Sequence, residues 1–422
     1  MPGGATTEDF LETRRHLSPR ASVALSIVSV AFAVGLALAM ARYGHQVDID
    51  VYLMGGAHAS SAQLYSLTYK RLLFTYPPFA AVVFVPLAQL SRATAQLVWG
   101  VANVAALVWL LYVSLRAARP DTAGATLARW SLLLVAPAML LDPVLVTSYL
   151  GQVNLVIAAL VVTDLGFDSK YLPKGLLTGI AAAIKLTPLI FIPWLFLTRQ
   201  YRAAGWATGT FAVCGGIGYV VSPQSSWIFW TKDVFDSARA GGLLSISNQN
   251  LKSAAMRIAH GTVPLEILAP LILGVGLLGM MLAVWAYRAS SPYLGLLACA
   301  TTGLVISPIT WSHHLVWIVP ALCWLALAPD RPRYGRRWAV AAAVFFWAGP
   351  IWWVPSADRG LHEKVWELVV GDSFLWVMLA SLLGVAGLLA YRRLRSIPPE
   401  PTDDQPVEPA EVEALAVKLR PA

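Results

Sequence analysis

Two acids, Asp48 and Asp50, follow the first long apolar run of the chain. A carboxylate at the rim of an apolar region is costly to keep and marks a candidate functional site. Two residues spaced i, i+2 point to different sides of a helix, and to the same side only in an extended chain. In a helix, one acid could face a cavity as a general base while the other faces water. The alternative is a pair of solvated loop carboxylates.

A lysine and two adjacent histidines also stand in apolar surroundings. Lys185 lies in the string 184–188, and His313 and His314 end the string 307–314. A buried lysine must pair with an anion, such as a lipid phosphate, or lose its proton; a lysine that snorkels to an interface is an equal alternative. The histidines suit phosphate or sugar contact, with a structural interfacial role equally open. With no Cys or Glu nearby, they are a weak metal site.

Two further segments offer aromatic and amide groups. The string Phe74-Thr75-Tyr76-Pro77-Pro78-Phe79 fixes a rigid turn, which could be a platform under a sugar or lipid or simply the start of a helix. Residues 248–257 carry amides and cations that could bind sugar hydroxyls and a phosphate. Any polar loop contains such groups, so this signal is weak by itself.

The elements that position these residues are apolar helices. The chain has 422 residues, of which 57% are hydrophobic and only 13% are charged, too few charges for a water-facing surface of this size. Residues 22–41, 96–115, 264–286 and 373–391 each approach the length that crosses a bilayer. The sequence therefore predicts an all-α polytopic membrane protein with about 11–13 transmembrane helices. We expect Cys214, Cys299 and Cys323 to be small packing residues.

The basic residues predict the topology. The net charge of +8 comes from Lys and Arg at the ends of apolar runs and not from one basic face, which argues against a nucleic-acid partner. We expect a cytosolic N-terminus (1–20), a transmembrane domain (21–395) and a disordered cytosolic tail (396–422). The loops predicted to face outward are 42–75, 148–153, 223–262, 307–313 and 355–372. This topology requires that run 76–92 be short or re-entrant and that run 175–198 be broken near Pro188.

The motifs taken together are similar to a known family. Val-Asp-x-x-Val-Tyr, Phe-Thr-Tyr-Pro-Pro-Phe, Gly-Gln-Val-Asn, Ile-Lys-Leu-Thr-Pro, Asn-Gln and Ser-Pro-Ile-x-Trp-x-His-His occur in that order between residues 47 and 314. This series resembles the actinobacterial GT-C type membrane mannosyltransferases that use polyprenyl-phosphate-mannose. The α-1,2-mannosyltransferases of phosphatidylinositol-mannoside and lipoarabinomannan synthesis are the nearest in pattern. No P-loop, Rossmann or His-Glu-x-x-His motif accompanies it.

The resemblance implies a reaction. It implies transfer of mannose from polyprenyl-phosphate-mannose to a mannosylated glycolipid or lipoglycan, on the outer face of the plasma membrane. The donor is β-linked and the product an α-mannoside, so the reaction inverts the anomeric centre with one base on the acceptor hydroxyl. The resemblance demands no cofactor and no metal, because cationic side chains can stabilise the leaving phosphate.

The resemblance also assigns roles to positions of this sequence. It makes Asp48 the catalytic base and puts His313 and His314 near the donor phosphate or the acceptor. Lys185, Lys252 and Arg257 are the expected phosphate-binding residues. The candidate sugar or acceptor contacts are Asp50, Tyr52, Tyr76, Gln152, Asn154, Asn248 and Gln249. Asn250 stands where the family pattern often has Ser, a departure that leaves its contact open.

Two other functions fit parts of the pattern. An enzyme of the same fold could use another polyprenyl-phosphate sugar, such as arabinofuranose. A lipid or sugar transporter would also place polar residues at a broken helix. Against the transporter, the sequence has no detectable internal repeat, and most of its polar motifs gather at one predicted face.

Overall fold

The protein is almost entirely helical in the computed structural model, which describes residues 18–44, 46–354 and 364–395. Within these ranges the chain forms eighteen α-helices and one short hairpin. The helices are α1 (Pro19–Tyr43), α2 (Val47–Ala57), α3 (Pro78–Ala88), α4 (Arg92–Ala118), α5 (Gly124–Met139), α6 (Asp142–Leu150), α7 (Asn154–Leu165), α8 (Leu176–Ile184), α9 (Phe191–Leu197), α10 (Tyr201–Val221), α11 (Pro223–Thr231), α12 (Leu251–Ile258), α13 (Leu265–Arg288), α14 (Pro292–Ile306), α15 (Ile318–Leu327), α16 (Gly335–Ala348), α17 (Val365–Gly371) and α18 (Ser373–Arg395). The strands are β1 (Thr68–Tyr69) and β2 (Leu72–Leu73), paired antiparallel with Thr68 opposite Leu73.

Five of the described helices are long and apolar enough to cross a membrane: α1, α4, α10, α13 and α18. A sixth span results if α5 and α6, bent by 81° at their junction, are counted together. The prediction of an all-α polytopic membrane protein is confirmed. The long spans among the described helices are fewer than the predicted 11–13, because other apolar runs are divided into helices of 10–17 residues. Most of the predicted N-terminal segment and the whole predicted tail lie outside the described residues.

The two predicted irregularities are present. Helix α3 begins at Pro78 and has 11 residues, a rise of about 16 Å that is too short for a bilayer core. Helix α8 ends at Ile184, and Lys185 adopts an extended backbone with φ −145° and ψ 127°. A 3₁₀ turn over Thr187–Ile190 follows before α9 begins at Phe191. The break therefore presents Lys185 from irregular backbone between two helices.

Polar loops meet at two separate ends of the helical body. In one group, the main-chain N–H of Gln249 donates to the carbonyl of Thr310 over 2.6 Å, which joins two loops that the charge pattern predicts to face outward. In the other group, Arg392 Nη1 donates to Ser291 Oγ over 2.8 Å, which joins segments that the charge pattern predicts to be cytosolic. Each contact therefore joins two segments that the charge pattern predicts to lie on the same side of the membrane.

Helix α2 packs closely against its neighbours through two glycines. A Cβ on Gly55 would lie 2.4 Å from Cε2 of Phe74, and a Cβ on Gly56 would lie 2.5 Å from the carbonyl oxygen of Phe84. A larger residue would require a shift of the Phe74 ring at the first position and of the backbone at the second. This close approach fixes α2, and with it the acids in its first turn.

The three cysteines are free and buried among the helices. Buried free cysteine behaves as a small apolar residue. Their prediction as packing residues is confirmed.

Candidate active site

A cavity of about 440 Å³ opens where the polar segments of one end converge. Its walls come from the start of α2, the turn after β2, the break between α8 and α9, the residues that follow α11, and the loop after α14. The predicted site residues that line it are Asp48, Tyr76, Gln152, Lys185, Lys252 and His314. Residues up to 266 positions apart in the chain therefore meet at one cavity, from Asp48 to His314.

The two acids of α2 have different environments. Asp48 lines the cavity, whereas Asp50 is buried and forms a two-pronged ion pair with Arg92, with Nε–Oδ1 and Nη2–Oδ2 distances of 2.7 Å. Asp48 lies outside the five long spans, and burial raises its pKa to about 6. A hydrogen bond from the Gln152 side chain and the positive charge of Lys185 act in the opposite direction. The helical spacing thus separates a cavity carboxylate from a structural one.

Gln152 is positioned by a left-handed turn at Gly151. Gly151 has φ +76° at the end of α6, a conformation that costs other L-residues energy. A Cβ there would also lie 3.1 Å from Cβ of Ile49, and the Gly151 carbonyl accepts a 2.7 Å hydrogen bond from Trp99 Nε1. Glycine therefore lets the turn rest on α2, and this contact brings Gln152 beside Asp48.

Behind Gln152 are two tyrosines. The hydroxyl groups of Tyr52 and Tyr76 donate to Gln152 Oε1 over 2.9 and 3.0 Å. Tyr52 is fully buried, stacked on Phe84 with ring centroids 4.3 Å apart. Tyr76 lines the cavity, but Tyr52 supports the wall from behind.

Lys185 is held by neutral partners. Its Nζ donates to Asn154 Oδ1 over 2.6 Å and lies 3.0 Å from His314 Nε2 and 5.6 Å from the ring centroid of Tyr76. Neither Asn154 nor a neutral imidazole cancels the charge of an ammonium. The cavity therefore contains a positioned cation that can bind an anionic oxygen.

The adjacent histidines diverge. Their rings are nearly perpendicular, with centroids 4.9 Å apart. His314 lines the cavity, whereas His313 is buried behind it, nearly parallel to the Trp311 ring at 6.4 Å. The His313 carbonyl accepts hydrogen bonds from Thr147 Oγ1 and Asn154 Nδ2, both 3.0 Å long. His313 thus anchors the residue that holds Lys185.

Helix α12 and the loop before it contain both structural and cavity-lining residues. Arg257 is fully buried, pairs with Asp372 and donates to the carbonyl of Asn248 over 2.9 Å. Gln249 Nε2 donates to the Gly371 carbonyl over 2.7 Å. These groups hold the loop and do not line the cavity. Lys252 does line it, and its Nζ donates to Ser237 Oγ over 2.8 Å.

Several lining residues were not among the predicted site residues. Arg239 Nη2 donates to the Tyr65 carbonyl over 2.5 Å, and Arg239 Nη1 lies 3.5 Å from Asp233 Oδ1. Trp311 also borders the cavity. It lies in the motif from which only His313 and His314 were predicted as site residues. The only sequence signal for Asp233 and Arg239 is their charge within the predicted outer loop 223–262. In the part of the chain that the structure describes, no three His, Cys, Asp or Glu side chains cluster as metal ligands.

A carboxylate, a held ammonium and several hydrogen-bonding groups around one cavity of a helical membrane domain define a polytopic membrane enzyme. The family model for glycosyltransferase family 87 matches residues 74–308, and the chain belongs to this family. The family resemblance of the motifs is thereby confirmed.

Named relatives extend over most of the chain. A Mycobacterium tuberculosis (strain H37Rv) protein is 32% identical over 85% of this chain and 91% of its own length. A Mycolicibacterium smegmatis protein is 31% identical over 89% of this chain and 91% of its own length. Both are named polyprenol-phosphate-mannose-dependent alpha-(1-2)-phosphatidylinositol mannoside mannosyltransferase. A third relative, from M. tuberculosis (strain CDC 1551), is 31% identical over 90% of this chain and 92% of its own length, and its name specifies phosphatidylinositol pentamannoside. No solved structure matches the chain.

Proposed function

We propose that this protein transfers mannose from polyprenol-phosphate-mannose to a phosphatidylinositol-mannoside acceptor, forming an α-1,2 linkage with inversion. The names of its relatives support the donor, the linkage and the acceptor class. The observation that carries the mechanism is that Asp48 and Lys185 line the same cavity. The arabinofuranose and transporter alternatives have no such support from the relatives.

Asp48 acts as the general base. It takes the proton from the acceptor hydroxyl as that oxygen bonds to the anomeric carbon on the face opposite the phosphate. The bond from the anomeric carbon to the phosphate oxygen breaks, and polyprenyl phosphate leaves with the electron pair. A pKa of about 6 leaves Asp48 ionised near neutral pH and makes it more basic than an exposed carboxylate.

Lys185 stabilises the charge that develops on the leaving phosphate. An ammonium already held in place by Asn154 and His314 needs little reorganisation as that charge appears. Lys252, on another wall, is a second cation that can reach phosphate oxygen. Arg257 holds helix α12, which carries Lys252, against its neighbours.

The cavity faces the outer side of the plasma membrane in this proposal. Most of its lining comes from segments that the positive-inside pattern predicts to be extracytoplasmic, and Lys185 joins them from the helix break. Residues 21–395 then form one transmembrane domain between cytosolic termini. Labelling of intact cells with a membrane-impermeant maleimide tests the orientation: exposed His58→Cys should react, and exposed Asp168→Cys should react only after lysis. The reverse pattern would place the cavity in the cytosol.

The reaction is tested with purified protein in detergent, given polyprenol-phosphate-mannose and a phosphatidylinositol-mannoside acceptor. Wild-type protein should form an α-mannoside, and Asp48→Asn should lose transfer while keeping its thermal unfolding temperature. Asp168→Asn, at an exposed carboxylate, is the matched control. Transfer of mannose by Asp48→Asn at the wild-type rate would show that Asp48 is not the general base. Transfer only from a polyprenyl-phosphate-arabinofuranose donor would support the second enzyme, and no transfer at all would favour a transporter.

A further inference from the structure

The hydrogen bonds around Gln152 give this residue a role other than sugar contact. Its amide has one oxygen with two acceptor positions and one nitrogen with two donors. The hydroxyl groups of Tyr52 and Tyr76 both donate to Oε1, over 2.9 and 3.0 Å. The two hydroxyl groups are also 2.9 Å apart, so one of them can donate to the other while the second donates to Oε1. In either arrangement the amide oxygen faces the tyrosines and the amide nitrogen is turned the other way.

Asp48 and Gln152 line the same cavity. Gln152 lowers the pKa of Asp48, as a hydrogen-bond donor to the carboxylate does, and of the two amide atoms only the nitrogen can donate. We propose that Gln152 is a positioning residue that holds the Asp48 carboxylate toward the acceptor hydroxyl, with Tyr52 and Tyr76 fixing its amide. This inference rests on the proposed role of Asp48 as the base.

The surroundings make the arrangement rigid. The Tyr52 ring stacks on Phe84, with ring centroids 4.3 Å apart, and packs edge-on against Trp99, with ring centroids 6.1 Å apart. Trp99 also holds the Gly151 carbonyl next to Gln152. Both ends of the side chain are thus fixed, the backbone by Gly151 and the amide by the tyrosines. Buried networks in which every member has a partner hold one geometry.

A substitution at Tyr52 can distinguish a positioning role of Gln152 from direct contact with substrate. It is fully buried and does not line the cavity, so it cannot touch a sugar. Tyr52→Phe keeps the ring packing and removes only the hydroxyl. Any effect of this change on the chemical step must pass through Gln152 or Tyr76. Tyr293→Phe is the matched control, because Tyr293 is also buried and its hydroxyl donates to the Pro320 carbonyl and not to a residue of the cavity.

The experiment measures kcat, the KM of each substrate and the pH dependence of kcat/KM for purified variants in detergent. Gln152→Met should lower kcat by about 100-fold, as expected for a misplaced catalytic group, with both KM values within about threefold of wild type. Its acid limb should move to higher pH, because a hydrogen bond that favours the charged carboxylate is lost. Tyr52→Phe should lower kcat less, and should have no further effect in the Gln152→Met background.

Several outcomes would overturn the inference. A raised KM with unchanged kcat and acid limb would make Gln152 a substrate contact. Additive effects of Gln152→Met and Tyr52→Phe would show that the tyrosine does not act through the amide. Should Gln152→Met fail to fold, Tyr52→Phe with wild-type kcat and pH profile would be sufficient to reject it. An active Asp48→Asn variant would instead reject the proposed function.

Discussion

The Nζ of Lys185 lies 3.0 Å from Nε2 of His314. As an ammonium, Lys185 has three donors and no acceptor, so in that state Nε2 of His314 accepts and the neutral ring has its proton on Nδ1. Asn154 Oδ1 accepts a second of the three Lys185 donors. The third donor is available to a ligand. Asn154 and His314 fix the lysine in place without cancelling the charge of an ammonium, and the carboxylate that favours this charge is Asp48, which lines the same cavity. This arrangement suits the binding of a lipid phosphate.

Replacing Lys185 should weaken use of the donor. Lys185→Met removes a hydrogen bond to a charged group, worth about 1.5–3 kcal/mol, which corresponds to a loss of about 10- to 150-fold in kcat/KM for polyprenol-phosphate-mannose. Steady-state kinetics in detergent measures this loss. Lys170→Met, at an exposed lysine outside the cavity, is the control. Unchanged donor kinetics in Lys185→Met would assign the phosphate to another cation, with Lys252 the next candidate.

The rate should depend on pH through Asp48. Its pKa is raised to about 6, and only the ionised carboxylate can accept the proton of the acceptor. The kcat/KM should therefore fall about tenfold for each pH unit below this pKa. A pH–rate profile at constant ionic strength measures the limb, and Asp168→Asn should retain it. A limb centred near pH 4 would mean that Asp48 is not the titrating base.

The ion pair between Asp50 and Arg92 should matter for stability and not for chemistry. Asp50 is 4% exposed, so Arg92→Gln leaves a buried carboxylate without its partner and should destabilise the fold by about 1–3 kcal/mol. The double variant Asp50→Asn with Arg92→Gln should recover part of this loss, because no buried charge remains. Thermal unfolding in detergent measures both. Activity per folded molecule should stay near wild type. A loss of kcat in the double variant would show that Asp50 contributes to catalysis.

Arg257 and Lys252 should respond differently to substitution. Arg257 is fully buried against Asp372, and removal of one partner of a buried pair costs about 3–5 kcal/mol. Arg257→Gln should therefore reduce the yield of folded protein. Lys252 lines the cavity and donates a hydrogen bond to Ser237, so Lys252→Met should leave folding intact and raise the KM of a phosphate-bearing substrate. Size-exclusion yield and kinetics distinguish these outcomes, and a well-folded Arg257→Gln variant would contradict the structural role.

The class of protein and the irregular segments follow from local sequence. Hydropathy and proline positions act over short stretches of chain, so the short α3 and the break at Lys185 could be predicted. The roles of the cavity-lining residues Asp233 and Arg239 could not be predicted, because only folding brings the residues after α11 to the cavity.

By itself, the sequence determined an all-α membrane protein, the order of its motifs and the residue types available for chemistry, since these depend on composition and on neighbours along the chain. Only the tertiary structure decided which member of each pair reaches the cavity: Asp48 and not Asp50, His314 and not His313, Lys252 and not Arg257. The physical reason is that a side chain's direction depends on helix rotation and on partners distant in sequence. Arg92 is 42 residues from Asp50, and Asp372 is 115 residues from Arg257.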